Sequence, residues 1–381
     1  VRRDSLQIAA LYAGGFLGPF GGGVVAAMLP ELGADLGVSA NSASTSLTAY
    51  LFPFAATMLV SGTLGARWGR VRTVRIAYAV YVLASIACVF APTLALLLGA
   101  RVLQGCANAF TTPLLLAALA ALTPRQRLGR VLGTFGALQA AGQTSAPLVG
   151  GLAAEVNWRL AFILIAAVAA VLGVIGLPDS VSAIPADTTI RLREALRIDV
   201  IRVGVIALIG WGALGGLNFL LAFRAEDAFG LGPTARGVLL TCFGMAGILA
   251  ARPVGTAIDA IGARRAVIIG AVVGGGLVAV VGTAGQLVVT ALAWALAGVA
   301  AQFVLVGVNA AVLGSRSANR SGAVSVVQAF RFTGAAMTPL LLTPVYGTHH
   351  VLAFVVPAVL LAVAAPLVMP PSHAVHREPE N

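Results

Sequence analysis

Apolar runs of about twenty residues, separated by short knots of arginine and glycine, decide what this sequence can fold into. Wound as a helix, a run of that length crosses the roughly 30 Å hydrocarbon core of a bilayer. Setting the runs against charged or Pro/Gly-rich breaks gives twelve, at 6–28, 43–64, 73–91, 94–122, 131–154, 159–177, 203–223, 237–257, 266–284, 287–314, 323–345 and 351–369. Charged residues make up 10% of the chain, against about 25% in soluble domains. So few charges cannot cover a water-facing surface. The expectation is an all-α membrane protein of twelve transmembrane helices.

The net charge is +11, which raises nucleic acid as a partner. The arginines, however, are scattered between apolar runs rather than gathered on one segment, so the partner expected is the lipid bilayer. Their distribution sets the orientation. All but five of the 24 basic residues fall on the side that also holds both ends of the chain. Arg159, Arg224 and Arg236 lie on the other side, and Arg101 and Arg331 within runs. An excess of arginine marks cytoplasmic loops, so both termini are expected in the cytoplasm, with the protein in the plasma (cell inner) membrane. The run that follows Arg2 and Arg3 reaches about Met28, too long for a signal peptide core, and reads as an uncleaved first span. Cys88, Cys106 and Cys242 sit far apart within runs and read as small apolar residues, not metal or redox ligands. No cofactor or metal is expected.

The chain also repeats itself. "GTLGARWGRVR" (Gly62–Arg72) is matched by "GTAIDAIGARR" (Gly255–Arg265) at an offset of 193, and Gly105 meets Gly298 at the same offset. "GQTSAP" (Gly142–Pro147) meets "GAAMTP" (Gly334–Pro339) at 192, as does the "LAF" of 160–162 with that of 352–354. Four matches in order at nearly one offset indicate a duplicated unit of six spans. Six is even, so the copies run parallel, related by an axis along the membrane normal. The expected organisation is an N-terminal six-helix bundle over 1–177, a cytoplasmic linker over 178–200, a C-terminal bundle over 201–369 and a tail over 370–381. "IRLREALRI" in the linker has the spacing of a short helix lying on the inner face.

These residues resemble the major facilitator superfamily, and within it the twelve-span drug:proton antiporter branch. Gly62, Leu64, Arg67, Gly69 and Arg70 match the superfamily's loop signature between spans two and three, with Ala66 where the signature has an acid. The second copy keeps the acid as Asp259, with Gly255, Gly262, Arg264 and Arg265. "RVLQG" (Arg101–Gly105) matches the span-four signature. "GQTSAPLVGG" (Gly142–Gly151) matches the antiporter signature of span five, with Ala146 in place of one glycine. The resemblance implies two pseudo-symmetric bundles, alternating access, and inner-gate loops at 62–72 and 255–265. By the same resemblance Asp259 is expected to meet the start of span five, a helix N-terminus that favours a carboxylate. Gly142, Ala146 and Gly150 leave one face of span five nearly bare for close approach. Pro147, followed by Gly150 and Gly151, permits a bend.

An ion inside a span is costly and marks a functional candidate. Arg101 and Arg331 are the two here, each expected near mid-depth and facing a central cavity. Gln104 and Asn108 share the helix face of Arg101; Gln139 and Gln143 lie on span five, and Gln328 one turn before Arg331. Asn218, Gln302 and Asn309 add polar groups, and Trp211 and Trp294 flat apolar surfaces. Each amide taken alone reads first as a helix–helix hydrogen bond, and it is their convergence with two arginines on matched spans that favours a central polar cavity. None of the 13 acids lies mid-span, so the field there is positive and opposes a cationic substrate. Glu155, at the outer end of span five, is either a proton-coupling carboxylate or a solvated helix-end acid. His349 and His350 read as surface groups.

The expected function is secondary active transport of a small neutral or anionic amphipathic molecule, outward and against protons, by a monomer. An uptake carrier or uniporter for an organic anion is the alternative. The motifs of an intramembrane enzyme (H-E-x-x-H, G-x-S-x-G, paired mid-span acids) are absent from the sequence.

Overall fold

The computed structural model describes residues 2–178, 181, 197–313 and 320–370. Each of the twelve apolar runs overlaps a helix: α1 Arg2–Gly23, α2 Thr45–Trp68, α3 Arg70–Val89, α4 Leu94–Leu122, α5 Leu128–Val156, α6 Arg159–Ile175, α7 Ile198–Ala213, α8 Pro233–Ile261, α9 Ala263–Thr283, α10 Leu287–Leu313, α11 Arg320–Thr348 and α12 His350–Val368. Among the described residues there is no strand, and nine helical stretches are long and apolar enough to cross a membrane. Most of the predicted linker, including its expected helix, lies outside the described residues, as does the tail.

The glycines of the arginine knots act as stops. Gly69 sits at φ 91° between α2 and α3, and Gly262 at φ 83° between α8 and α9. That backbone region is readily open only to glycine, so each helix reverses in one residue and leaves its arginines at the end. The two positions are 193 apart, the offset of the sequence repeat.

The same offset governs packing. In the first six helices α1 packs on α5, α4 on α2 and α3, and α3 on α6; α7 packs on α11, α10 on α8 and α9, and α9 on α12 in the last six. A methyl group on Gly105 would strike the carbonyl of Tyr50, and one on Gly298 would strike that of Phe243. Likewise Gly142 lies against the Phe16 carbonyl and Gly334 against that of Leu208. Every pair repeats at 192 or 193 residues. The bare face predicted for α5 is used as expected, since Gly142, Ala146 and Gly150 lie against α1 and the turn that follows it. Pro147 sits inside a continuous helix, with its carbonyl against Gly237.

Two helices break. After Gly23 the chain winds as a 3-10 turn over Val24–Ala27, then as a short helix Leu29–Asp35. The predicted span 203–223 is likewise interrupted, because α7 ends at Ala213, a 3-10 turn covers Gly215–Leu217, and Asn218–Phe229 is a separate helix. Gly22-Gly23 and Gly215-Gly216 stand 193 apart. Paired interruptions of this kind leave backbone polar groups that only a protein-lined or water-filled site can satisfy inside a membrane.

The two sets of six meet along α5 against α8 and α2 against α11. Their direct bonds gather towards the arginine-poor end. Arg236 of α8 pairs with Glu31 and donates to the Ala27 carbonyl at 3.2 Å. Thr48 Oγ1 donates to the Ala336 carbonyl at 2.6 Å, Ser44 and Thr343 hydroxyls lie 3.2 Å apart, and the Thr234 N–H donates to Glu155 at 3.1 Å. At the arginine-rich end a methyl group on Gly62, Gly69, Gly255 or Gly262 would meet no atom within 4 Å.

Candidate functional site

A cavity of about 100 Å³ lies between the two sets, beside both broken helices. Its wall is mostly backbone and aromatic: Gly22 and Gly23 on one side, Gly215 and Gly216 on the other, with Tyr50, Phe54, Phe219 and Phe332 between them. Phe54 and Phe332 meet edge-on across the sets at 4.8 Å. Of the residues expected there, Asn108, Gln139, Gln143, Trp211 and Asn218 line it. An adjoining recess shares Gln143, Trp211 and Asn218 and adds Gln302. No acid lines either space.

Arg331 reaches this region from α11. Its guanidinium lies 3.7 Å from the Trp211 ring centre and 5.0 Å from that of Phe332. Nη1 donates to Gln328 at 3.1 Å, and Nη2 crosses to the other set, donating to Gln143 at 3.3 Å. Nε is buried without a partner, as is Oδ1 of Asn218, the first residue after the α7 break. One unpaired donor therefore stands at the side recess of Arg331, and one unpaired acceptor on the cavity wall at Asn218. Desolvation favours filling both. Gln328 lines a small side recess with Asn309, Trp211 and Arg331.

Arg101 corrects the expectation of two cavity-facing arginines. It is fully buried within the first six helices and lies outside the cavity wall. It donates to the carbonyls of Gly21 at 3.0 Å and Ser46 at 3.3 Å and to Gln104 at 2.9 Å, and its guanidinium covers the Tyr50 ring at 4.3 Å. Gln104 is equally buried and donates to Ser85 at 2.8 Å. The physical reason is the α1 break: the carbonyl of Gly21 stands just before it, and a five-donor guanidinium can bind it together with Ser46. Asn108 links this network to the cavity, donating to Gly18 and to the Tyr50 hydroxyl. At the equivalent position in the second half stands Trp294, fully buried and 4.7 Å from Phe243. An aromatic pair there replaces the cation over an aromatic ring. Trp294 too lies outside the cavity.

The gate residues are divided. Asp259 is exposed and makes no ion pair among the described residues, and the side chains of the first residues of α5, which it was expected to meet, lie outside those described. Arg67 and Arg265 are exposed, Arg70 half-buried, and Arg264 donates to carbonyls at the end of α12. Glu155 accepts from the N-terminal N–H of α8, across the sets. The Arg236 cluster was missed in the sequence reading, which placed Arg236 on the arginine-poor side without naming a partner. Arg236 is 1% exposed and holds Glu226 at 3.0 Å as well as Glu31. Nothing in the linear spacing joins residues 205 apart. Beside it Asp35 pairs with Arg159, which holds its carboxyl below the usual carboxylate range, with Trp158 adding a second hydrogen bond.

The profile of the Major Facilitator Superfamily matches residues 11–231. An uncharacterized MFS-type transporter of Mycobacterium tuberculosis, EfpA, is 35% identical over 136 residues, covering 35% of this chain and 26% of its own length. The drug efflux pump JefA, from the same organism, is 29% identical over 183 residues, 47% of this chain and 36% of its own. The chain thus spans well under half the length of these curated relatives. Among solved structures, a bacterial homolog of the human lysosomal transporter Spinster, in an inward-facing and unoccupied conformation, aligns with a TM-score of 0.77 at 15% identity, covering 96% of both chains.

Proposed function

The chain belongs to the Major Facilitator Superfamily, and we propose that it is a twelve-span secondary transporter working by alternating access. We take the arginine-rich end as cytoplasmic and both described ends as lying there, in the plasma membrane. One observation carries the reading: a cavity between two repeats, with the bonds across them gathered at one end. In these terms the outer end is the closed one. The first six and last six helices are the moving bodies, and the Arg236 cluster, Glu155, Ser44 and Thr48 form the outer latch. Asp259 and the loops at 62–72 and 255–265 form the inner one.

The substrate is a small amphipathic molecule, neutral or anionic. Arg331 lines the side recess and donates to Gln143 of the cavity wall with no carboxylate beside it, and the wall's polar groups include the amides of Asn108, Gln139, Gln143 and Asn218. A carbonyl or carboxylate suits the guanidinium, and a flat apolar body suits Trp211, Phe332 and Phe54. Export coupled to protons follows the antiporter signature of α5. Glu155, which accepts from the N-terminal N–H of α8 across the outer seam, is the carboxylate proposed to couple to protons. Uptake of an organic anion is the second reading, favoured by the unpaired Nε of Arg331.

Inverted membrane vesicles carrying the protein, offered neutral and anionic amphipathic compounds with and without a proton gradient, separate the readings. Gradient-driven accumulation of such a compound supports export. Gradient-independent equilibration of anions alone supports the second reading. No movement of either class would reject both.

A further inference from the structure

On the opposite side of α4 from the cavity, a second space of about 460 Å³ opens between α2, α3 and α4. It starts at the arginine-rich end with Trp68 and Arg72, continues past Ile76 and Val80 on α3, and has Cys106 and Phe110 of α4 as its floor. From Arg72 to Val80 is eight residues, or about 12 Å of helix, close to the depth of one leaflet's hydrocarbon. The space is uncovered. Trp68 is 58% exposed and Ile76 52%, and the Trp68 ring is stacked on Phe110 at 5.9 Å, holding one edge of the groove open.

Charge says what covers it. Arg72 lines it and is exposed, and Arg67 and Arg75, close to it in sequence, are exposed as well. No acidic residue occurs anywhere from 36 to 154, and Ala66 stands where the loop signature has its acid. The second copy of the loop keeps Asp259, so this excess of positive charge is particular to the first half. An apolar groove one leaflet deep, with a tryptophan at the interface, Arg72 at its mouth and exposed Arg67 and Arg75 close by in sequence, none of them ion-paired among the described residues, has the form of a lipid site. We infer that it binds an anionic glycerophospholipid of the arginine-side leaflet, with its phosphate on Arg72 between Arg67 and Arg75 and one acyl chain along Ile76 and Val80 over Cys106. The lipid would brace the first gate loop in place of the missing carboxylate.

Native mass spectrometry of the purified protein, supplied with phosphatidylglycerol and phosphatidylcholine in equal amounts, reads the site directly. The expected result is preferential retention of one phosphatidylglycerol. Arg72→Gln should reduce that preference about fivefold, the effect of one basic residue at a membrane surface. Cys106→Phe, which fills the groove and changes no charge, should abolish retention of the bound lipid. Arg127→Gln, an equal loss of charge in the exposed α4–α5 connection, should leave it unchanged. Equal retention of the two lipids by the unaltered protein would overturn the assignment. So would retention unaffected by Cys106→Phe, or a loss with Arg127→Gln as large as with Arg72→Gln. Lipid retention needs no transport, so failure here leaves the transport reading standing, and the reverse.

Discussion

Replacing Arg236 with alanine should open the outer end. Of its contacts, those to Glu226 and Leu231 stay within the last six helices, so only the Glu31 pair and the bond to the Ala27 carbonyl resist separation. Glu31 is 27% exposed, and an ion pair with water on one side contributes about 1 kcal/mol. The carbonyl bond adds about 1 kcal/mol. Together they favour the outer-closed form by about 2 kcal/mol, or about thirtyfold in population. Spin labels on cysteines at Asn41 and Gly347, exposed and facing across the seam, report the distance by pulsed electron resonance. The expected outcome is one short distance in the parent and a second, longer population in Arg236→Ala. Adding Glu31→Gln to that variant should change little, because the pair is already gone. An unaltered distance distribution in Arg236→Ala would refute the latch.

Arg331→Ala should reduce transport severely while leaving melting behaviour near the parent's, and Arg331→Lys should recover part of it, since the charge returns without the planar fork; full activity in the alanine variant would count against the cavity assignment. Arg101→Ala should instead lower the detergent melting temperature, because two carbonyls and Gln104 lose their donor, at about 1–3 kcal/mol for each buried group left unpaired; normal melting with lost transport would return Arg101 to the cavity. Asp259→Asn should weaken transport and shift the population towards inner-open, measured by cysteine accessibility at the inner end, and no change in either would remove the inner latch. Asp35, held low by Arg159, should stabilise the protein at neutral pH and lose that contribution as pH falls through its lowered value; the melting difference between the parent and Asp35→Asn should therefore shrink in acid, and a constant difference would contradict the pairing.

Much of the architecture was legible because hydrophobic length and arginine spacing act locally. Gly69 and Gly262 could be read as stops, and the 193 offset reappeared in the contacts of Gly105 and Gly298. The cavity was only half legible. Asn108, Gln143 and Asn218 were found as polar residues on apolar helices, but periodicity does not say which face meets which neighbour. Arg101 and Arg331 look alike in sequence, each a lone cation within an apolar run. What separates them is a broken helix beside one and two aromatic rings beside the other. The paired Gly-Gly breaks at 22–23 and 215–216 were present in the sequence at the repeat offset, and comparing the halves residue by residue would have pointed to them. Arg236 and Glu31 had no such signal, because their meeting depends on how the two halves close.

The central claim is that one cavity opens to each side in turn, and accessibility tests it most directly. With Cys88, Cys106 and Cys242 replaced by serine, a single cysteine at Gln139 on the cavity wall can be challenged by a membrane-impermeant maleimide from either face. The account predicts rapid labelling from the arginine-rich face, slow labelling from the other, and a reversal of that ratio towards the outer face when Arg236→Ala is added. Labelling from one face only, at a rate indifferent to Arg236, would contradict it.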